Sequence, residues 1–243
     1  MNQTLKLWQE LGIVADGIQT GWLGNAEQIP LIRKMSEVLT HDGTVILIDP
    51  VMGDGFGEGS IIYSRPRIAE EISNLTRVAD IITPNLTEAA ILLGKEPKEC
   101  GVTDNGTIDI GLAKDLAAEL ALIHPGLVIL KSVLDENEPN RIGVCMRFTG
   151  DNAMGIGLHP TTRVVFADRV GSGTGGTGDA FATLVMGQWL RQAMGKRGDQ
   201  ESVCDIIQIS MGIISDSLRA IQNEEGLKFL PALARQVNRV FWR

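Results

Sequence analysis

Short unbroken apolar runs, set apart by amphipathic segments, constrain the fold of this chain more than any other feature. Val45-Ile-Leu-Ile48 and Leu127-Val-Ile-Leu130 contain no polar residue. A strand with one face in water alternates apolar and polar residues, so an unbroken run predicts a strand buried on both faces. Asp80-Ile-Ile-Thr83 reads as a shorter buried strand cut by Pro84, and residues 16–20 as another strand. Helical spacing separates them. Ile29, Ile32, Met35 and Leu39 mark a helix over 26–39 with Asn25 as its cap, and further helices are expected over 66–78, 87–93 and 110–123. Such alternation predicts a parallel sheet with helices on both faces. Residues 142–148 and 156–166 read as antiparallel strands with turns at Gly150-Asp151 and His159-Pro160. Helices are also expected over 2–11, 177–192, 203–223 and 231–240.

A length of 243 residues suits one large α/β domain over 1–243. The net charge of −8 argues against nucleic acid or an anionic membrane as the main partner. Phosphate ligands held by backbone amides remain compatible with it. Cys100, Cys145 and Cys204 lie far apart and, with three histidines, show no zinc-ligand spacing. Reduced cysteines in a cytoplasmic protein are the expectation. No apolar run approaches membrane-spanning length.

In open α/β sheets, ligands bind at the carboxyl ends of the strands. That rule gathers four segments onto one rim: 49–54, 83–88, Lys131-Ser132, and the glycine run Gly171-Ser-Gly-Thr-Gly-Gly-Thr-Gly-Asp179. The run opens a helix. Its glycines let backbone N–H groups approach an anion, and the helix N-terminus adds partial positive charge. Asp179, beside such a site, suits a base for a hydroxyl nucleophile. Asp54 and Glu88 suit Mg²⁺, which takes a few carboxylates and keeps its waters. Lys131 and Ser132 can meet phosphate charge.

Structural roles compete with each of these. Asp179 can be a helix N-cap, Asp49 and Asp80 turn or capping residues, and Glu88 a first-turn acid favoured by the helix dipole. For Lys131 taken alone, a solvated lysine at a strand end is the expectation. The segment 51–60 reads as a long loop.

Several motifs resemble the ribokinase superfamily, and within it the pyridoxal kinases. They are Asp49-Pro-Val-Met-Gly-Asp54, Gly57-Glu-Gly-Ser60 with Tyr63, Asp80-Ile-Ile-Thr-Pro-Asn85 with Glu88, and Gly176-Thr-Gly-Asp179. Thr20-Gly-Trp-Leu-Gly24 is similar to that family as well. The first and last of these motifs are shared with hydroxymethylpyrimidine kinases. The resemblance implies a ribokinase-like three-layer sandwich around a mostly parallel sheet. It implies ATP-dependent phosphorylation of the 5′-hydroxyl of a B6 vitamer, with Asp179 as base and Gly176, Thr177 and Gly178 as anion hole. Asn85, Lys131, Ser132, Thr177 and Gly178 would contact ATP, and Tyr63 the pyridine ring. Asp54 and Glu88 would flank Mg²⁺, and Asp49 and Thr83 a monovalent cation such as K⁺. Family members usually form homodimers. They also usually begin upstream of the first helix here, so an N-terminally truncated domain lacking its first strand is expected. The competing readings are a hydroxymethylpyrimidine (phosphate) kinase, a non-catalytic nucleotide-binding relative and, ranked lowest, a sugar kinase.

Overall fold

The computed structural model describes residues 2–55, 61–62, 66–124, 126–149, 160–171, 175–193, 200–223 and 228–241. Its strands are β1 (Gly17–Thr20), β2 (Val45–Ile48), β3 (Gly53–Asp54), β4 (Ile61–Ile62), β5 (Ile81–Ile82), β6 (Leu127–Val133), β7 (Arg141–Phe148) and β8 (Thr161–Asp168). Its helices are α1 (Asn2–Glu10), α2 (Gln28–Val38), α3 (Pro66–Thr76), α4 (Leu86–Leu92), α5 (Ile110–Ile123), α6 (Thr177–Ala193), α7 (Gln200–Asn223) and α8 (Phe229–Phe241). Among the described residues one sheet has the order β1-β2-β5-β6-β7-β8. Neighbours from β1 to β6 pair in parallel, and β7 and β8 add antiparallel strands. This is the ribokinase-like three-layer architecture expected from the sequence.

The apolar runs are buried on both faces for the reason that their composition predicts. Val45, Leu47, Ile81, Leu127 and Ile129 point into a core with Phe181, Val185 and Trp189 of α6 and Ile207 of α7. Their neighbours Ile48, Ile82, Val128 and Leu130 point to the opposite core, against Ile72 of α3, Leu86 of α4 and Leu116 and Leu120 of α5. Successive side chains of a strand face opposite ways, so a helix layer is needed on each side. Each fully buried aliphatic side chain contributes about 1.5–3 kcal/mol.

The structure departs from the sequence reading in four places. The helix expected over 26–39 begins at Gln28 after a turn, and Glu27 rather than Asn25 precedes it. Asn25 Oδ1 instead accepts the Glu27 N–H, bracing the turn. The segment read as a loop contains β3, which pairs antiparallel with β4. The second antiparallel strand starts at Thr161 and runs to Asp168; Gly150, Asp151 and His159 lie outside the described residues. Finally, β6 does not stop at Leu130. It continues through a register break between Leu130 and Val133, where Ser132 adopts φ 61°. A left-handed backbone is uncommon for a residue with a side chain. The extra residue places Val133 on the face of Leu130. Alternation along β6 puts Lys131 on the α6 side of the sheet.

Asp80 proves structural. Its Oδ2 accepts the Ile46 N–H at 2.8 Å, and its carbonyl accepts the Leu127 N–H at 2.8 Å. Gly126 is packed against the same carbonyl; a Cβ there would lie 2.1 Å from it. Gly126→Ala must therefore push β5 and β6 apart, at a cost of about 1–3 kcal/mol typical of overpacking. Gly175→Ala, with nothing within 4 Å, is the control. Urea unfolding should separate the two variants, and equal midpoints would contradict this close approach.

Candidate functional site

Residues from three neighbouring strands meet at one buried charge. Asp49 follows β2, Thr83 follows β5, and Lys131 occupies the irregular turn of β6. Asp49 Oδ1 accepts hydrogen bonds from Lys131 Nζ at 2.6 Å and from Thr83 Oγ1 at 2.9 Å. Asp49 is 2% exposed and Lys131 8%. The lysine is thus a buried ion-pair partner rather than the solvated side chain that its position suggests. Burial pushes the Asp49 carboxyl above its ordinary range, against the pull of the Lys131 ammonium and the Thr83 hydroxyl. Breaking such a pair from one side leaves an uncompensated buried charge and costs about 3–5 kcal/mol.

A second polar cluster pins the 52–55 segment to α4. Asn85 caps α4: its Oδ1 accepts the Glu88 N–H, and Glu88 Oε2 accepts the Asn85 N–H, both at 2.8 Å. Glu88 Oε1 also accepts the Met52 N–H at 3.3 Å, Asn85 Nδ2 donates to the Gly53 carbonyl at 3.0 Å, and Thr87 Oγ1 donates to the Gly55 carbonyl at 2.7 Å. Both residues expected at the nucleotide, Asn85 and Glu88, therefore have their side chains engaged within the protein. The Asn-x-x-Glu spacing is itself a capping-box signal that a reading for chemistry passes over.

The helix mouth completes the rim. Gly176 takes φ 85°, with open space where a Cβ would be. Its carbonyl accepts the Ala180 N–H at 3.0 Å, closing the first turn of α6. Thr177, Gly178 and Asp179 are the first three residues of α6, so their N–H groups have no partner within the helix. Asp179 is therefore not the cap that its structural alternative required. A Cβ on Gly178 would lie 3.3 Å from Lys131 Nζ, which puts the ammonium directly against the start of α6. The exposed Asp179 carboxylate faces the Gly21 loop after β1, where a Cβ would lie 3.7 Å from Oδ1. Asp179 also bears electrostatically on Asp49.

A cleft of about 410 Å³ opens beside this mouth. Its lining includes the polar residues Asp54, Lys131, Ser132, Asp168 and Arg169, the run Gly175 to Gly178, and the apolar residues Leu134, Val144, Phe181, Met211 and Leu218. Asp179 stands outside the lining. The α6 N-terminus is thus approached from two sides, one by a deep cleft and the other by an open carboxylate. The wall contributed by α7 was not foreseen. Met211, Ile214, Ser215 and Leu218 recur at helical spacing, which marks a helix face but not what the face covers.

Asp54 is exposed on the cleft, with Oδ1 accepting the Gly55 N–H at 2.9 Å. Among the described residues no three His, Cys, Asp or Glu side chains gather at metal-holding distances. Of the two acids expected at Mg²⁺, Asp54 is exposed and Glu88 is buried in the α4 cap. Tyr63 lies outside the described residues.

Burial pushes the Glu88 carboxyl up to about 8, from 4.5 in the unfolded chain. A raised carboxyl favours the fold while it is protonated. Its contribution is fully present below pH 4.5 and is lost as pH rises toward about 8. Urea unfolding between about pH 5 and pH 8 should show the native protein losing stability with pH more steeply than Glu88→Gln. Parallel profiles would contradict the assignment.

Pyridoxal kinase PdxY of Deinococcus radiodurans is 27% identical over 179 residues, which is 72% of this chain and 55% of that protein. The thiamine biosynthesis multifunctional protein ThiED of Corynebacterium efficiens is 34% identical over 85 residues, 35% of this chain and 11% of that protein. The matches thus span about half, or far less, of these relatives' own lengths. A Bacteroides thetaiotaomicron structure with pyridoxal, provisionally named a phosphomethylpyrimidine kinase, superposes with a TM-score of 0.73 at 25% identity. It covers 97% of this chain and 76% of that one. The sequence profile of the phosphomethylpyrimidine kinases matches residues 3–194, and the chain belongs to that family.

Proposed function

We propose that this chain transfers the γ-phosphoryl group of ATP to the primary alcohol of a small heteroaromatic ring, the 5′-hydroxyl of pyridoxal, pyridoxine or pyridoxamine. The observation that carries the reading is the two-sided helix mouth. The apolar residues lining the cleft suit an adenine base, and its Gly175 to Gly178 run with Lys131 suits a phosphate chain. Asp179 on the other side suits the alcohol. Donor and acceptor would then meet at the N–H groups of residues 176–178.

In this mechanism Asp179 takes the proton of the acceptor hydroxyl as its oxygen attacks the γ-phosphorus. The bond from that phosphorus to the bridging oxygen breaks, and ADP leaves with the electron pair. Phosphoryl transfer needs little covalent help, so positioning and charge stabilisation dominate. The unpaired N–H groups of α6 are fixed before the charge develops, and a single such donor is worth about 10²–10³ in rate. Lys131 adds a positive charge beneath Gly178. Mg²⁺ bound with ATP would neutralise phosphate charge, with Asp54 at its side.

The family match and the likeness to the thiamine biosynthesis protein favour a second acceptor, hydroxymethylpyrimidine or its phosphate. The site chemistry is the same for either ring. ATP consumption with Mg²⁺ should be measured against pyridoxal, pyridoxine, pyridoxamine and hydroxymethylpyrimidine. Turnover with a B6 vitamer is expected. Turnover with the pyrimidine alone would move the assignment to the second acceptor, and ADP binding without turnover on any of them would leave a non-catalytic nucleotide-binding protein. Asp179→Ala should lower kcat by about 10²–10⁴-fold and leave ADP affinity within about threefold. Near-normal turnover of that variant would remove Asp179 as the base.

A further inference from the structure

The resemblance in sequence implies a monovalent cation at Asp49 and Thr83, and the side chains here do not fit one. One Asp49 oxygen, Oδ1, already accepts the Lys131 ammonium at 2.6 Å and the Thr83 hydroxyl at 2.9 Å, so an ammonium stands beside the carboxylate where a cation would, and Oδ2 has no hydrogen-bond partner among the described residues. All three side chains are buried. Departure of the ammonium would strand a buried carboxylate. The Lys131 ammonium, 2.6 Å from the Asp49 carboxylate, cancels its charge. The cluster therefore lacks the net negative charge that attracts an alkali ion. The backbone carries the same message. Alternation along β6 puts Lys131 on the α6 side of the sheet, the face of Leu127 and Ile129.

We propose that the Lys131 ammonium is a built-in replacement for the monovalent cation. Held by Asp49 and Thr83, it sets a fixed positive charge under the Gly176–Gly178 anion site and frees nucleotide binding from any need for K⁺. Lys131 is a positioning residue in this sense, acting through the backbone amides above it. The inference rests on the phosphotransferase reading for its meaning in catalysis, but its test does not require turnover.

ADP affinity and the thermal midpoint of the ligand-free protein are measured in potassium, sodium and tetramethylammonium chloride at equal ionic strength. The native protein should give the same midpoint in all three salts and ADP affinities within about twofold. Lys131→Thr removes the charge and introduces a hydroxyl. It should lose about tenfold or more in ADP affinity in tetramethylammonium, and potassium should restore it. Rescue by K⁺ is not expected of a lysine that only fills space. Two results overturn the proposal: a K⁺-specific gain in the native protein, whose remaining oxygen Asp49 Oδ2 has no hydrogen-bond partner among the described residues, or a Lys131→Thr variant indifferent to K⁺. If Lys131→Thr does not fold, Lys131→Ser takes its place, and the native-protein comparison decides alone if neither folds. Absence of turnover with every acceptor would count against the kinase reading and leave these binding and stability results to judge Lys131.

Discussion

The ion pair between Lys131 and Asp49 ties the sheet to the mouth of α6, and the remainder of the site is arranged around it. Two charges removed from water gain only if their geometry is good and their other hydrogen-bonding capacity is used. Here the carboxylate also takes the Thr83 hydroxyl, so that one oxygen joins the residues after β2 and β5 to the interior of β6. The ammonium in turn touches the first turn of α6 at Gly178. A buried charge thereby sits between the sheet, both of whose faces are packed, and the N-terminus of α6, whose first amides have no partner within the helix.

That arrangement explains why the two sides of the helix mouth differ. The β6–β8 side carries a cleft, because α7 stands over the antiparallel strands and closes an apolar wall with Met211 and Leu218. The β1 side carries Asp179 and the Gly21 loop. The capping box of Asn85 and Glu88 holds the 52–55 segment, and with it Asp54, at the cleft. Fold and chemistry share the same residues there, and Glu88 carries the cost as a carboxyl held near 8.

Much of the fold was legible because burial on both faces removes ambiguity. An unbroken apolar run such as Val45–Ile48 has one arrangement open to it in a sheet of this kind, and α5 ends where His124-Pro125-Gly126 ends the helical pattern. The rim was legible as well, since topology alone sends the strand ends to one edge. What stayed hidden depended on tertiary context. The left-handed φ of Ser132 has no local sequence signal, and the burial of Lys131 depends on Asp49, Thr83 and the start of α6, all distant in sequence. The role of α7 in the cleft left only a helical stripe behind. Asn85 and Glu88 were read for their chemistry, although their spacing also spells a cap; carboxylates and amides serve both purposes, and only coordinates separate them.

The central claim is that Asp49 and Lys131 act as one unit in holding the helix mouth. A double-mutant cycle on Asp49→Asn and Lys131→Met, read by urea unfolding and by ADP affinity, tests it most directly. Each single variant should lose about 3–5 kcal/mol of stability, because each strands a polar or charged partner in the interior. The double variant should lose less than the sum by at least about 1 kcal/mol, with a matching coupling in ADP affinity. Effects that add within about 0.5 kcal/mol in both measurements would mean that the two residues act independently, contradicting the account.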